Sequence, residues 1–339
     1  MHEARLYDKL PDAYVCCHIC QWRCRIAPEK TGVCQRYKNQ DGTLYSLNYA
    51  LVSSMAADPV EKKPLYHFHP DTKCFSLGSW GCNFHCPGCQ NWSIACTPGQ
   101  EIDINNRNLS PEASVKLARD YKCHGMSWTY NEPTMWLEYS REAARLALNE
   151  GLYTAYVTNG YLTMEALDTV GPYIQAWCVD VKGFGDEAYK KVSKINNWRS
   201  ILEIATLAKS RWNMHVEVVT NIIPTINDDR DQLENIAGWI ATEFGELTPW
   251  HVTRFYPRHK LLNIPATPTE TLERARDIGR QAGLRFVYLG NVEAGADTQC
   301  YNCQKLIIRR NGPHTEILGL NGSKCKFCAA ELNIRTGMP

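Results

Sequence analysis

The chain has 339 residues, and 37 Lys and Arg against 36 Asp and Glu give a formal net charge of +1, which excludes bulk electrostatic attraction to nucleic acid or anionic lipid. With 44% hydrophobic and 22% charged residues, the composition excludes wholesale disorder and is that of a globular protein with a sizeable core. No stretch approaches the ~20 apolar residues of a membrane span and residues 1–11 lack a secretory apolar region, so a cytoplasmic location with no membrane association is expected.

In a reducing compartment the 16 cysteines are read as metal or cluster ligands before disulfides. Four of them, Cys17, Cys20, Cys24 and Cys34, lie with Cys16 in an N-terminal segment that lacks long apolar runs, so a bound metal would help order it. Residues 58–70 follow, where Glu61, Lys62 and Lys63 stand beside Tyr66, His67, Phe68 and His69, a pattern read as a solvated face next to packing residues. From there the sequence alternates short β-branched or aromatic runs with longer helical patterns. Strands are predicted at 73–78, 125–130, 153–158, 176–181, 215–222, 251–256 and 285–289. Helices are predicted at 111–123, 134–150, 163–170, 198–211, 229–244 and 269–282, several opened by first-turn signals such as Ser110-Pro111-Glu112 and Thr269-Glu270. This rhythm predicts βαβ units on a parallel sheet, closed into a complete or partial barrel, with reactive residues on the loops after the strands.

One such loop, directly after the first of these strands, carries Cys82, Cys86 and Cys89 in the spacing C-x3-C-x2-C with no fourth cysteine nearby. Structural zinc takes four closed ligands, whereas three thiolates suit an iron–sulfur cube with one iron left open. His85 is the alternative fourth ligand. The loop resembles the signature of the radical S-adenosylmethionine (SAM) superfamily, and the barrel rhythm fits that superfamily's partial (β/α)6 barrel from about residue 73 to 291. Within it the chain is similar to pyruvate formate-lyase activating enzyme. It resembles more specifically the radical SAM member of the AmmeMemoRadiSam system, through 58–68, Gly81-Cys-Asn-Phe84, Cys89-Gln-Asn-Trp92, 129–134 and Gly290-Asn-Val292.

The resemblance implies a [4Fe-4S] cluster on Cys82, Cys86 and Cys89 that binds SAM, reductive cleavage of SAM, and a 5′-deoxyadenosyl radical that abstracts hydrogen from a substrate. It further implies a one-electron donor such as flavodoxin or ferredoxin. Carried over position by position, Glu132 would accept from the SAM ammonium, with Asn131 standing where the family has glycine, and Asp180 and Lys182 would face the ammonium and carboxylate. Thr158 and Asn159 match a turn whose leading Asp is Val157 here, Asn221 replaces an arginine contact from near Val219, and His259 matches a histidine beyond the sixth strand. Gly88 stands where an aromatic residue usually meets the adenine. The resemblance also raises the possibility that 58–70 covers the barrel mouth, with Lys62, Lys63 or His67 shaping the substrate site.

At the other end, Cys300, Cys303, Cys325 and Cys328 form two C-x2-C knuckles around strand-like 306–310 and 315–320, the pattern of a zinc ribbon. An auxiliary cluster is the rival at both terminal sets, and zinc is preferred at the N-terminal one because the sequence shows no electron path to it. Cys74, Cys96, Cys123 and Cys178 read as small buried hydrophobes. The expected organisation is thus a Cys-rich segment at 1–70, the barrel at 71–293 and a ribbon at 294–339. The expected function is hydrogen abstraction from a glycyl-radical enzyme, a peptide, an RNA or a small molecule. A zinc-rich scaffold is the alternative, and methyl transfer ranks lower because no paired methyl-shuttling cysteines stand out.

Overall fold

The computed structural model of the protein describes residues 1–97, 108–293, 295–312 and 314–337, so the domain border expected at 294 falls on a residue outside them. Its centre is an eight-stranded, mostly parallel sheet. Strands Lys73–Gly78, Gly125–Trp128, Tyr153–Thr158, Ala176–Asp180, His215–Ile222, Trp250–Arg254 and Val287–Gly290 follow one another in chain order, each parallel to the last. These are the seven predicted strands, shortened or shifted by a few residues. An eighth, Ser54–Pro59, adds antiparallel to Lys73–Gly78. The sheet therefore reaches back into the segment expected as a separate N-terminal unit.

The seven parallel strands are buried on both faces, and the period-two alternation sorts their residues into two cores. Phe75, Met126, Trp128, Tyr156, Trp177, Val179 and Val218 pack on the side of the helices, while Cys74, Tyr153, Ala155, Ala176, Cys178 and Val219 form the inner face. Fully buried Trp128, Trp177 and Trp250 dominate the helix side, each stabilising by at least ~2 kcal/mol through the apolar area it removes from water.

The helices start where the sequence signals them. Ser110 accepts from the Ala113 amide ahead of Pro111–Asp120, Thr163 from Ala166 ahead of Met164–Val170, and Asp229 from Gln232 ahead of Arg230–Phe244. Thr269–Gln281 begins without a side-chain cap, and a further helix, Asp186–Val192, fills a stretch with no predicted element. No described helix is long and apolar enough to cross a membrane.

Residues 60–68 do not cover the mouth of the sheet, which the family resemblance raised, but fill it from beneath, with Lys62 and Lys63 reaching the cavity at its carboxyl edge. Val60, Leu65 and Phe68 sit in the inner core, against the amino-terminal ends of the strands. What holds them there is a buried acid: Glu217 accepts from the Tyr66 and His67 amides at 3.0 and 2.8 Å and from His215 and His251 at 3.1 and 2.7 Å. His67, expected as a substrate residue, is fully buried, bonded to the Tyr288 hydroxyl at 2.6 Å, and does not line the cavity at the carboxyl edge of the sheet. Burial, the largest influence on it, pushes its imidazole down to about 3.

The C-terminal unit packs under the same end. Its hairpins, Leu306–Asn311 with His314–Ile317 and Leu320–Asn321 with Lys324–Cys325, share a core with Phe286 and Tyr288, and Arg310 donates to the Tyr66 carbonyl at 2.7 Å. At the other pole the N-terminal segment forms two small three-stranded sheets and is tied to helix Leu137–Asn149 by buried Glu138, which accepts from the Arg5 amide and the Tyr37 hydroxyl. All sixteen cysteines are free thiols. Cys74, Cys123 and Cys178 are buried as expected, whereas Cys96 is exposed, because the short helix Trp92–Ala95 before it has no buried residue and offers no core.

Candidate active site

A cavity of about 400 Å³ opens at the carboxyl edge of the sheet. Cys82, Cys86 and Cys89 line it together with Asn131, Glu132, Thr158, Asn159, Asp180, Lys182 and Asn221, so ten of the residues named from the sequence converge there. His67, His85 and His259 do not line it: His67 is buried beneath the sheet, His85 is exposed, and His259 stacks on the Trp92 ring with centroids 5.2 Å apart.

The thiols sit in a loop braced from several strands. The Phe84 amide donates to the Cys82 sulfur at 3.3 Å, and the Asn159 amide nitrogen approaches the same sulfur at 3.7 Å. Asn131 accepts from the Ser79 amide at 3.0 Å and donates to the Gly81 carbonyl at 2.8 Å, so its side chain pins the turn ahead of Cys82. Burial pushes all three thiols up, Cys89 to about 11, which keeps them protonated until a metal displaces the protons. Gly88 leaves no room for an aromatic ring at its place: a Cβ there would stand 3.0 Å from Leu261 and 3.2 Å from Phe255, which fill that space.

Across the cavity, Glu132 is 2% exposed. One carboxylate oxygen accepts from the Thr134 amide, the Thr134 hydroxyl and the Thr158 hydroxyl, and the other accepts from the Asn159 amide at 2.7 Å. Burial raises its pKa, and these donors offset part of the rise. Asp180 and Lys182 form an ion pair at 2.8 Å. Burial opposes the Lys182 charge, but Asp180 and the Cys86 sulfur outweigh it and hold the ammonium protonated. Asn221 donates to the Thr253 hydroxyl at 3.0 Å.

Lys62, which is exposed, and Lys63 and Tyr130 also line the cavity. Lys63 is 3% exposed, its ammonium lies 3.5 Å from Asp58 and 5.0 Å over the Tyr130 ring, and burial lowers its pKa. Tyr130 lies within the predicted strand 125–130 and the family-like block 129–134, where it has no assigned role. Its φ of +72° turns the ring down toward Lys63, a conformation that a sequence pattern does not announce.

The two terminal cysteine sets differ in geometry. The four ligand sulfurs of Cys300, Cys303, Cys325 and Cys328 all lie within 4.8 Å of one another, with Cys300 to Cys328 at 3.6 Å and Cys303 to Cys325 at 3.7 Å. Tetrahedral zinc with bonds near 2.3 Å places its sulfurs about 3.8 Å apart, so this set can hold one metal ion. Among the described residues neither the N-terminal set nor the Cys82 loop gathers three sulfurs that closely.

A parallel α/β sheet that brings three free thiols, a buried acid and an ion pair to its carboxyl edge defines a cofactor-dependent enzyme of the iron–sulfur kind. The comparisons with known proteins make this specific: the pattern of the radical SAM superfamily matches residues 79–240, and the chain belongs to that superfamily. It is 41% identical over 338 residues to "Uncharacterized protein MJ0808" of Methanocaldococcus jannaschii, covering 98% of this chain and 99% of that one. It is 23% identical over 222 residues to pyruvate formate-lyase 1-activating enzyme of Escherichia coli K12, covering 61% and 89%. The structure of a radical SAM methyltransferase from Sphaerobacter thermophilus shares the fold with a TM-score of 0.50 and 16% identity over 70% of this chain and 71% of that one. Activating enzymes recur among the relatives. Membership implies SAM and an iron–sulfur cluster and leaves the scaffold alternative without support.

Proposed function

We propose that this protein is a cytoplasmic radical SAM enzyme that cleaves SAM reductively and abstracts one hydrogen atom from a compact reacting group held inside a partial (β/α)6 barrel. One observation carries the reading: three partly buried free thiols share a single cavity with Glu132 and the Asp180–Lys182 pair. Cys82, Cys86 and Cys89 are the residues that would hold a [4Fe-4S] cluster, which when bound supplies one electron to the SAM sulfonium, from a donor such as flavodoxin or ferredoxin. Glu132 has one oxygen with a single internal donor, which leaves it free to accept from the SAM ammonium. Lys182 offers its charge to the SAM carboxylate, and Asp180 keeps that charge in place. Asn131, Thr158 and Asn159 act mainly by positioning, since their side chains are engaged with the cysteine loop and Glu132.

Lys63, which lines the cavity, is the residue placed to bind a polar group of the substrate. Lys63→Met is expected to leave substrate-independent 5′-deoxyadenosine formation unchanged. The stimulation of that reaction by the dialysable fraction of a cell extract should fall about 10- to 100-fold, the loss of one charged hydrogen bond. Undiminished stimulation would remove Lys63 from the substrate site.

Cys300, Cys303, Cys325 and Cys328 are proposed to bind zinc, on the strength of their single-ion spacing. Structural zinc contributes about 10–16 kcal/mol in small zinc-ordered units. Cys303→Ser with Cys328→Ser is therefore expected to release the bound zinc and open the C-terminal unit to proteolysis while the barrel stays resistant. Iron at these thiols in the wild-type protein would contradict the assignment.

A further inference from the structure

The N-terminal thiols lie directly behind the catalytic loop, and a single side chain joins the two. Asn83, next to Cys82, is completely buried. Its side chain stabilises the Cys20 thiolate, and its carbonyl accepts from the Trp22 indole at 2.8 Å. The same side chain accepts from Asn159 at 2.8 Å, and its oxygen lies 3.8 Å from the Cys82 sulfur. One buried residue, Asn83, therefore stands between Cys20 and Cys82.

Arg36 forms a second link. Its backbone amide donates to the Cys34 sulfur at 3.5 Å, and its side chain is buried against Gly81, the residue before Cys82. Gly81 has φ of +85°, and a Cβ there would fall 2.6 Å from Arg36, so only glycine permits this packing. One guanidinium nitrogen of Arg36 is buried with no hydrogen-bond partner. An incompletely paired buried cation beside thiols matches a site whose sulfurs are anionic, as metal-bound thiolates are.

Spacing separates iron from zinc here. The C-terminal sulfurs converge at single-ion distances, whereas Cys17, Cys20, Cys24 and Cys34 interact electrostatically yet stay wider, as do the three sulfurs of the catalytic loop. In a cluster each thiolate binds a different iron, and the ligands stand further apart than around one ion. A wired position next to the catalytic loop also gives no function to redox-inert zinc.

We infer that Cys17, Cys20, Cys24 and Cys34 bind a second iron–sulfur cluster that relays the reducing electron to the Cys82 loop through Asn83. The inference rests on the assignment of a [4Fe-4S] cluster to that loop. The balance is one electron: a low-potential ferredoxin or flavodoxin loses it, the N-terminal site carries it, and the Cys82 site gains it. No proton moves and no covalent bond changes at the relay.

The test is anaerobic reconstitution with iron and sulfide, followed by metal counting and electron paramagnetic resonance of the dithionite-reduced protein. Wild type is expected to hold about eight iron atoms, two cubes, and Cys82→Ala/Cys86→Ala/Cys89→Ala about four, with a signal that SAM no longer alters. Cys20→Ala/Cys24→Ala should also keep about four, with the SAM-responsive signal intact. Spin–spin broadening should be present in wild type and absent from both variants. Should a variant fail to fold, the wild-type count still decides. About four irons, all SAM-responsive, with a second zinc at the N-terminal set would overturn the relay and spare the catalytic reading. Iron that never responds to SAM would overturn the catalytic reading instead.

Discussion

Replacing Cys82 by alanine is expected to abolish 5′-deoxyadenosine formation, a loss of at least about 10⁶-fold, the low end of what an enzyme contributes over the uncatalysed reaction. The size follows from the loop having no substitute ligand. His85 faces solvent, Cys96 is exposed and outside the cavity lining, and the N-terminal thiols lie behind Asn83 with their own partners. The same variant should remain folded, because Cys82 is only partly buried and its neighbours Asn83 and Asn131 hold the loop through backbone and amide contacts that do not involve sulfur. Circular dichroism and the nucleoside assay on the same preparation check both halves. Retained turnover would place the chemistry elsewhere.

Glu217→Ala should produce the largest loss of stability, about 3–5 kcal/mol, because it leaves His215, His251 and the amides of Tyr66 and His67 buried without their acceptor. Burial works against the Glu217 charge, but hydrogen bonds from the two histidines outweigh it and hold the carboxyl well below its ordinary range. A depressed carboxyl contributes stability above its unfolded pKa of about 4.5 and loses it as pH falls toward the folded value. His67 acts in the same direction. Its folded pKa of about 3 lies under the unfolded 6.5, so below pH 6.5 the unfolded chain binds a proton that the folded chain refuses. From pH 6.5 to 5 this removes about 2 kcal/mol. Calorimetric melting of wild type and His67→Phe across that range reads the difference, with the variant expected to show the shallower slope. Parallel slopes would show that His67 does not stay neutral.

These predictions mark where the sequence was legible and where it was not. The seven parallel strands could be read because their runs of Val, Ile, Tyr, Trp and Phe are buried on both faces, as such strands must be. Ser54–Pro59 could not, since Ser-Met-Ala-Ala-Asp-Pro has little strand preference of its own and owes its conformation to the ladder with Lys73–Gly78. The placement of 60–68 was likewise invisible: its anchor is an acid more than 140 residues away in sequence, and Glu217 looks like any polar residue in a strand until His215, His251 and two amides surround it.

At the site, cysteine spacing and the Asp-x-Lys and Glu-Pro motifs survived translation into space because each lies at a strand's end, where one cavity collects them. His259 did not, as its loop carries it outward onto Trp92. Asn83 lay within a quoted motif yet was given no role, because only packing reveals that its amide faces Cys20 on one side and Cys82 on the other.

The most direct measurement of the central claim is mass spectrometry of the products formed from SAM by anaerobically reconstituted protein and a one-electron reductant. The account predicts 5′-deoxyadenosine and methionine in equal amounts, with both absent from the Cys82→Ala variant. S-adenosylhomocysteine as the product, or SAM recovered intact from protein carrying its full iron, would contradict it.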